Sequence, residues 1–221
     1  MITLYHCVSA RSFRPLWMLE EMGLPYELRM LPFPPRVHAR EYLQLNPLGT
    51  IPLLVDGDTR MTESSAICHY LGVRHGPTPL VVDPAEADYG AYLNFLHQGE
   101  ATLTFPQTLV LRYARFEPPE RRQPQVAQDY GKWFLARLRW AEAALARQEW
   151  VAAGRFTAAD ISVGYALMLA ELLDLLPHAP EALQRYWAKL QQREAFQRAL
   201  RAQDVAARAQ GVDPAPATAA P

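Results

Sequence analysis

The segment CVSARSFR at residues 7–14 concentrates groups that could do chemistry: one thiol, two hydroxyls and two guanidiniums within eight residues. It lies between an apolar run typical of a strand and an amphipathic run typical of a helix. The start of a helix stabilises anions, because its first N–H groups lack intrahelical partners and lie at the positive end of the dipole. Two interpretations are open for these side chains: they do chemistry on an anion, or they only begin the helix.

Cys7 allows a redox interpretation of this segment to be tested. A thiol–disulfide exchange centre would place Cys-x-x-Cys at the start of a helix. Cys7 instead lies at the end of the strand, and Ala10 stands where the second cysteine would be. We therefore expect Cys7 to be a buried, unreactive thiol, and Cys68, within a later helical run, to be the same.

Strand and helix patterns alternate over residues 1–78, which is typical of an α/β domain. Ser12 is a predicted N-cap for a helix that stops at Gly23, and the two strands joined by this helix should be parallel. An Asp-Gly turn at residues 56–58 indicates a hairpin, and Ser64 or Ser65 should cap the following helix. The predicted strands lie at 2–6, 26–31, 53–55 and 60–62, and the predicted helices at 12–22, near 41–45 and from 64 onward.

The remainder of the chain favours helices. Residues 75–86 have the turn-rich composition of a linker, and residues 86–205 are expected to form an all-helical domain. Long helical patterns cover 89–115 and 126–147 within it. The tail at 206–221 is rich in alanine and proline and is predicted to be disordered.

Thr157 and Asp160 have the spacing of a capping box, in which each side chain accepts from the other residue's N–H. Phe156 and Ile161 are placed to form a hydrophobic staple across it. The next turns are apolar nearly all round, which indicates a buried helix whose first N–H groups must be satisfied internally. We therefore interpret Asp160 as a residue for folding and not for catalysis.

Composition and charge narrow the class of protein. Half of the 221 residues are hydrophobic and the formal net charge is −1, so nothing in the charge favours binding to nucleic acid or an anionic membrane. Two cysteines are too few for a disulfide framework, and no basic and then apolar leader is visible, so we expect a soluble, cytoplasmic protein. The histidines show no metal-ligand spacing, and no metal is expected.

A set of short motifs carries a family resemblance. They are Leu4-Tyr5, Ser9-Ala-Arg-Ser-Phe-Arg14, Leu19-Glu-Glu-Met-Gly-Leu-Pro-Tyr-Glu27, Leu45-Asn-Pro-Leu-Gly-Thr-Ile-Pro52, Glu63-Ser-Ser-Ala-Ile67 and Phe156-Thr-Ala-Ala-Asp-Ile161. In this order and over roughly residues 2–200, they resemble the cytosolic glutathione transferase superfamily, in its bacterial-type members with a serine in the first loop. The resemblance implies a thioredoxin-like N-terminal domain, an all-α C-terminal domain, glutathione as co-substrate and commonly a homodimer.

The resemblance assigns glutathione-binding roles to two motifs. Pro52 matches a proline that is cis in the family, and cis costs an X-Pro bond only about 0.5–1 kcal/mol. The backbone of the preceding residue, Ile51 here, then pairs with the cysteinyl unit of glutathione. Glu63 and Ser64 match the pair that holds the γ-glutamyl end, where Ser64 takes the carboxylate by hydroxyl and N–H and Glu63 faces the ammonium. A helix N-terminus suits such a carboxylate.

The opening segment acquires a catalytic interpretation from the same resemblance. Glutathione reacts as a thiolate, and a thiol has an ordinary pKa of about 8.5, so some group must stabilise the anion near neutral pH. Aligning the first helix places Ser9 at the catalytic serine of the serine-type classes, zeta and theta among them. Ser12 is the alternative, although capping also accounts for it. Arg11 stands near the cysteine of the cysteine-type classes and would favour the anion electrostatically.

Two further parts of the implied site stay open. Thr50 stands where many relatives have a lysine for a glutathione carboxylate, and His38 or Arg40 is the candidate substitute. The second substrate is expected to be a small apolar electrophile or a peroxide, in keeping with detoxification. Side chains available to line its pocket are Phe13, His97, Phe105, Arg112, Tyr113 and Arg115.

The alternative functions are a glutathione-dependent cis–trans isomerase of the zeta type and a non-catalytic, transferase-like binding or regulatory protein.

Overall fold

The computed structural model describes residues 1–216 and 218. Within that part of the chain, Met1–Pro77 and the segment from Gln192 onward form one compact unit, and Thr78–Gln191 form another. The last helix therefore groups with the first unit, which differs from the continuous helical domain predicted at 86–205. That helix continues to Ala209, so the predicted start of a disordered tail at 206 is wrong. Residues 217 and 219–221 of the predicted tail lie outside the described residues.

The bounds of the elements follow in chain order. The strands are β1 (Ile2–His6), β2 (Tyr26–Met30), β3 (Leu53–Asp56) and β4 (Thr59–Met61). The helices are α1 (Phe13–Met22), α2 (Pro35–His38), α3 (Ser64–Arg74), α4 (Tyr89–Gln98), α5 (Phe105–Leu111), α6 (Pro124–Arg137), α7 (Arg139–Leu145), α8 (Ala158–Leu172), α9 (Glu181–Gln191) and α10 (Glu194–Ala209). A 3₁₀ turn at Arg40–Gln44 follows α2.

The sheet of the first unit has the strand order β2-β1-β3-β4. β1 and β2 are parallel, as the helix between them predicts, because the chain must cross over the sheet to return in the same direction. β3 is antiparallel to both β1 and β4. Gly57 adopts a φ of +59° between β3 and β4, which confirms the predicted hairpin turn.

Helix α10 is attached to the first unit by aromatic packing and ion pairs. The ring of Phe196 lies 5.5 Å from that of Phe13 and 4.9 Å from that of Trp17, measured between centroids. Arg193 donates to both carboxylate oxygens of Glu21, at 2.6 and 2.8 Å. The amphipathic pattern of α10 indicates that one face is buried but does not say which layer buries it. For that reason, the sequence pattern assigned α10 to the helical domain, whereas the structure groups it with the first unit.

The second unit is helical, as predicted. The pattern at 89–115 becomes one helical path, in which π-helical turns at Gly99–Thr104 and Arg112–Phe116 continue α4 and α5. The pattern at 126–147 becomes α6 and α7. No helix in the described part of the chain is long and apolar enough to cross a membrane.

The predicted capping box is present at the start of the buried helix α8. The Thr157 N–H donates to one Asp160 carboxylate oxygen at 2.8 Å, and the Val151 N–H and the Tyr186 hydroxyl donate to the other at 3.0 and 2.6 Å. Asp160 is fully buried, and this burial raises its pKa to about 6 although its hydrogen bonds act in the opposite direction. These contacts satisfy backbone donors inside the unit, as expected for a folding residue.

Candidate active site

The sheet topology brings separate loops of the first unit to one edge. Tyr5, next to the end of β1, pairs with Leu53, the first residue of β3, so the loop after β1 adjoins the loop before β3. Leu54 pairs with Met61, the last residue of β4, so the chain leaves β4 at that edge and enters α3 there. The Ser9 loop, the Ile51–Pro52 bond and the start of α3 therefore share an edge of the sheet.

Ser9 lies in the loop between β1 and α1 in a left-handed conformation, with φ of +55°. Residues other than glycine rarely adopt this conformation, and those that do are often held at functional positions. The Ser9 N–H donates to Oε1 of Gln203 at 3.0 Å, and Nε2 of Gln203 donates to the Ser9 hydroxyl oxygen at 3.4 Å. Gln203 belongs to α10, and nothing in its local sequence pattern distinguishes it from an ordinary polar position.

Ser12 occupies the N-cap position of α1 but does not cap it. Its backbone is helical, and within the described residues its hydroxyl makes no capping bond to α1. The hydroxyl is instead fully buried against Cys7, accepting from the Cys7 N–H at 3.3 Å and donating to the Cys7 carbonyl at 3.4 Å. The capping prediction for Ser12 is wrong, because the side chain folds back to close the loop. Arg11, in the same loop, is partly exposed.

Both cysteines are buried, as predicted. The thiol of Cys7 lies 3.8 Å from the Pro32 carbonyl oxygen, and Cys68 lies within α3. Burial raises the pKa of each thiol to about 12. The thiolate is the reactive form of cysteine, so neither side chain is suited to nucleophilic chemistry near neutral pH.

The Ile51–Pro52 peptide bond is cis, as predicted. Thr50 precedes Ile51, and its carbonyl accepts from the Tyr42 hydroxyl and from Nδ2 of Asn46, both at 2.8 Å. Tyr42 and Asn46 were not anticipated as residues that shape the site, although Asn46 lies within a motif that carries the resemblance. Together these two hydrogen bonds hold the Thr50 carbonyl, on the N-terminal side of Ile51.

Gly49 permits the close packing of this loop. Its φ is +60°, and a Cβ added there would lie 2.7 Å from Cβ of Arg36 and 2.8 Å from Cδ2 of Leu43. Cβ atoms do not approach other carbons so closely, so any other residue would displace the segment around α2 or the loop itself. Glycine at this position thus helps to place Ile51.

Ser64 is the first residue of α3, and Glu63 precedes it at the N-cap position. The prediction that Ser64 or Ser65 caps the helix is wrong, since both lie inside it. Nη1 of Arg14 donates to the Ser64 hydroxyl oxygen at 3.1 Å. Sequence reasoning missed Arg14, which is fully buried despite its charge. The first N–H groups of α3 and this guanidinium together favour an anion.

The remaining candidates are distributed over both units. His38 is exposed at the end of α2, and Arg40 is exposed at the start of the 3₁₀ turn. Phe13, one of the side chains available to line a substrate pocket, is fully buried against Trp17 and Phe196. The other predicted lining residues, His97, Phe105, Arg112, Tyr113 and Arg115, belong to the second unit. Residues 1–216 and 218 contain no group of three or more His, Cys, Asp or Glu side chains that could hold a metal.

A family model described as "Glutathione S-transferase, N-terminal domain" matches residues 8–74. The chain is 28% identical over 203 residues to Glutathione S-transferase 3 of Schizosaccharomyces pombe, which covers 86% of this chain and 82% of that protein. It is 30% identical over 196 residues to Glutathione S-transferase 4 of Zea mays, which covers 85% of this chain and 86% of that protein.

A solved structure with a similar fold is the theta class glutathione S-transferase from the citrus canker pathogen Xanthomonas axonopodis pv. citri, which has glutathione bound. It superposes with a TM-score of 0.76 at 26% identity and covers 90% of this chain and 96% of that chain. This similarity confirms the predicted fold class, an α/β thioredoxin-like domain followed by helices.

Proposed function

This chain belongs to the glutathione S-transferase family and is an enzyme of that kind, and we propose that Ser9 stabilises the thiolate of glutathione bound at the shared edge of the sheet. The observation that carries the proposal is the strand register, which sets the Ser9 loop, Ile51 and the start of α3 beside one another. A peptide bound at such an edge can be contacted by several loops at once.

The start of α3 is the proposed site for the γ-glutamyl end of glutathione. The Ser64 hydroxyl and the first N–H groups of α3 bind the carboxylate, and the exposed Glu63 faces the ammonium. The buried Arg14 guanidinium, 3.1 Å from the Ser64 hydroxyl, adds positive potential behind this site. The backbone of Ile51 and Pro52 is the proposed contact for the cysteinyl unit. His38, exposed on α2, is the proposed partner of the glycyl carboxylate, with Arg40 as the other candidate.

Ser9 is proposed for the chemical step in preference to Ser12 or Arg11. Ser12 is fully buried and hydrogen-bonded to the backbone of Cys7, which occupies its hydroxyl. A hydrogen bond donated by the Ser9 hydroxyl to the sulfur would lower the pKa of the bound thiol, because it favours the charged form. Arg11 would contribute only at longer range, through its charge.

In the proposed reaction the thiol of glutathione first loses its proton to solvent. A sulfur electron pair then forms a bond to an electrophilic carbon of a small apolar substrate, and the leaving group departs with the bonding pair. With a peroxide, the sulfur attacks one oxygen, the O–O bond breaks, and the alkoxide that leaves takes up a proton. The resulting sulfenic acid condenses with a second glutathione to give the disulfide and water.

Binding and turnover are tested together on the purified chain. We expect calorimetry to detect glutathione binding, and Ser9→Ala to lower turnover of a nitro-activated aryl halide about 10- to 100-fold at pH 7, because a hydrogen bond to a charged group contributes about 1.5–3 kcal/mol. Ser12→Ala tests the alternative serine under the same conditions, and a melting curve establishes that each variant is folded. If glutathione does not bind, the proposal is overturned, and the alternative of a non-catalytic, transferase-like protein is favoured. Binding with unchanged turnover in Ser9→Ala would move the catalytic role to Ser12 or Arg11, and isomerisation without consumption of glutathione would indicate the zeta-type activity.

We also propose that the enzyme is a cytoplasmic homodimer that acts in detoxification. The large apolar side chains Phe105, Trp133 and Trp140 of the second unit are exposed, and burying them against a partner subunit would be favourable. The buried, reduced thiols of Cys7 and Cys68 suit a reducing compartment. Sedimentation equilibrium tests the dimer, and a monomer at micromolar concentration would contradict it.

A further inference from the structure

The side-chain amide of Gln203 joins α10 to the loop that carries Ser9. Its Oε1 lies 3.0 Å from the Ser9 backbone nitrogen and 3.0 Å from Nε2 of His6, and its Nε2 lies 3.4 Å from the Ser9 hydroxyl oxygen. All three residues belong to the first unit. Gln203 is 5% exposed, Ser9 7% and His6 0%, so water competes little for these hydrogen bonds.

The direction of each hydrogen bond follows from the chemistry of the groups. A backbone N–H can only donate, so the Gln203 atom that faces Ser9 N must be the amide oxygen. The amide nitrogen then necessarily faces the Ser9 hydroxyl oxygen and donates to it. Because the amide oxygen only accepts, Nε2 of His6 must carry a hydrogen. Burial lowers the pKa of His6 to about 4, so the imidazole is neutral near pH 7 and can donate in this way.

These directions have two consequences for Ser9. The bond from Gln203 uses a lone pair of the hydroxyl oxygen and not its hydrogen, so it favours the rotamers in which Ser9 acts as a donor. The same bond polarises the O–H group, which strengthens the hydrogen bond that Ser9 donates to an anion. The bond to the Ser9 N–H holds the backbone at a φ of +55°, a conformation that the residue would not favour alone.

We propose that Gln203 is a positioning residue for catalysis, which orients the Ser9 hydroxyl as a hydrogen-bond donor to the sulfur of bound glutathione. The inference rests on the proposed role of Ser9 in stabilising the thiolate. Gln203 acts through Ser9 and does not itself touch the sulfur. Helix α10 thereby becomes part of the proposed glutathione site.

Gln203→Met and Gln203→Glu test this proposal in different ways. Methionine has a similar volume and removes every hydrogen bond, whereas glutamate keeps the acceptor for the Ser9 N–H and loses the donor to the hydroxyl. A carboxylate at this position would accept the Ser9 hydroxyl hydrogen and withdraw it from the sulfur. Gln210→Met is the matched control, because Gln210 makes the same kind of two-pronged bridge from the end of α10 to the Met30 N–H and the Leu28 carbonyl, at 2.9 and 2.8 Å.

The readout is the pKa of the enzyme-bound glutathione thiol, followed by thiolate absorbance in the ultraviolet, together with kcat and KM for glutathione. We expect Gln203→Met to raise this pKa by about 0.5–1 unit and to lower kcat at pH 7 about 3- to 10-fold, while Gln203→Glu approaches the effect of Ser9→Ala. KM for glutathione should match that of Gln210→Met, whereas the melting temperature should fall further in Gln203→Met, because Gln203 is buried and Gln210 is exposed. The double variant Ser9→Ala, Gln203→Met should behave like Ser9→Ala, since the glutamine acts through the serine.

The outcomes separate this inference from the proposal on which it rests. If Ser9→Ala leaves the thiol pKa unchanged, the proposed role of Ser9 fails. If Ser9→Ala raises the pKa but both Gln203 variants keep the wild-type value, only the positioning role is overturned. Equal losses of melting temperature and activity in Gln203→Met and Gln210→Met would also overturn it, because they would reveal a purely structural bridge.

Discussion

Arg14 donates a hydrogen bond from Nη1 to the hydroxyl oxygen of Ser64 across 3.1 Å. The guanidinium comes from α1 and is fully buried, and the hydroxyl belongs to the first residue of α3. A buried, permanently charged group close to a helix N-terminus adds to the positive potential of the first N–H groups. The pair therefore connects two helices at the point where the glutathione carboxylate is proposed to bind.

Replacing Arg14 should weaken glutathione binding. In Arg14→Met the Ser64 hydroxyl loses its charged partner and the site loses positive potential, so we expect the Kd for glutathione to rise about tenfold, as a charge-assisted hydrogen bond implies. Calorimetry measures the effect, and a melting curve establishes that the variant is folded. Arg198→Met is the control, because Arg198 pairs with Glu20 and its side chain is 44% exposed to solvent. Equal affinity in the two variants would exclude a role for Arg14 in the anion site.

Gly49 and Gly57 form a matched pair for measuring close packing in the loop before Ile51. Both have positive φ, at +60° and +59°, but an added Cβ would lie within 4 Å of other described atoms at Gly49 and of none at Gly57. Gly57→Ala should destabilise the protein by about 1 kcal/mol from backbone conformation alone. Gly49→Ala should destabilise it by about 3 kcal/mol, because overpacking is added. Urea unfolding measures both free energies.

Gly49→Ala should also raise KM for glutathione, since the loop that places Ile51 must move, whereas Gly57→Ala should not. If the two variants lose the same free energy of unfolding and keep the same KM, the close approach of Arg36 and Leu43 to Gly49 has no energetic consequence.

Asp160→Ala should be strongly destabilising. It removes the acceptor for the Val151 and Thr157 N–H groups and for the Tyr186 hydroxyl, all inside the second unit. Loss of an N-terminal cap contributes about 1–2 kcal/mol, and the buried donors left unpaired bring the total to about 3 kcal/mol or more. Urea unfolding checks this value against Asp129→Ala, whose carboxylate, within residues 1–216 and 218, accepts from Gln125 alone, on an exposed face of α6. A loss of less than about 1 kcal/mol would contradict the folding role of Asp160.

The ionisation of Asp160 should make stability depend on pH. Burial raises its pKa from 3.8 to about 6 in the folded protein, so the native state holds this proton more tightly than the unfolded chain does. The contribution of the group to stability is therefore largest below about pH 4 and falls as the pH rises through about 6. A pKa difference of about two units between the folded and unfolded states corresponds to about 3 kcal/mol in the free energy of unfolding.

The free energy of unfolding of wild type relative to Asp160→Asn isolates this effect, because asparagine does not titrate and the other ionisable groups cancel. We expect the difference to decline between pH 4 and pH 7, as measured by urea unfolding in steps of half a pH unit. A difference that grows with pH would mean that hydrogen bonding outweighs burial at this carboxylate.

Local patterns in the sequence were sufficient to predict most of the strands and helices. The parallel pairing of β1 and β2, the hairpin at Gly57 and the capping box of Thr157 and Asp160 all depend on residues close in the chain, and all are present. The helical character of the second unit follows from periodicity in the same way. The capping roles predicted for Ser12 and Ser64 were wrong, because a hydroxyl near a helix start has several possible partners and tertiary contacts select among them.

By itself, the sequence determined the kind of fold, the cis proline and the loop segments that form the candidate site. Only the tertiary structure decided which distant residues complete that site: Arg14 behind Ser64, Tyr42 and Asn46 on the Thr50 carbonyl, and Gln203 on Ser9. Gln203 lies 194 residues from Ser9 along the chain, and its polar side chain on an amphipathic helix looks like any solvated position. The sequence did not indicate these distant contacts, because backbone propensity and periodicity act over only a few residues. A hydrogen bond between distant side chains exists only after the layers have packed, and its partners leave no local trace in the sequence.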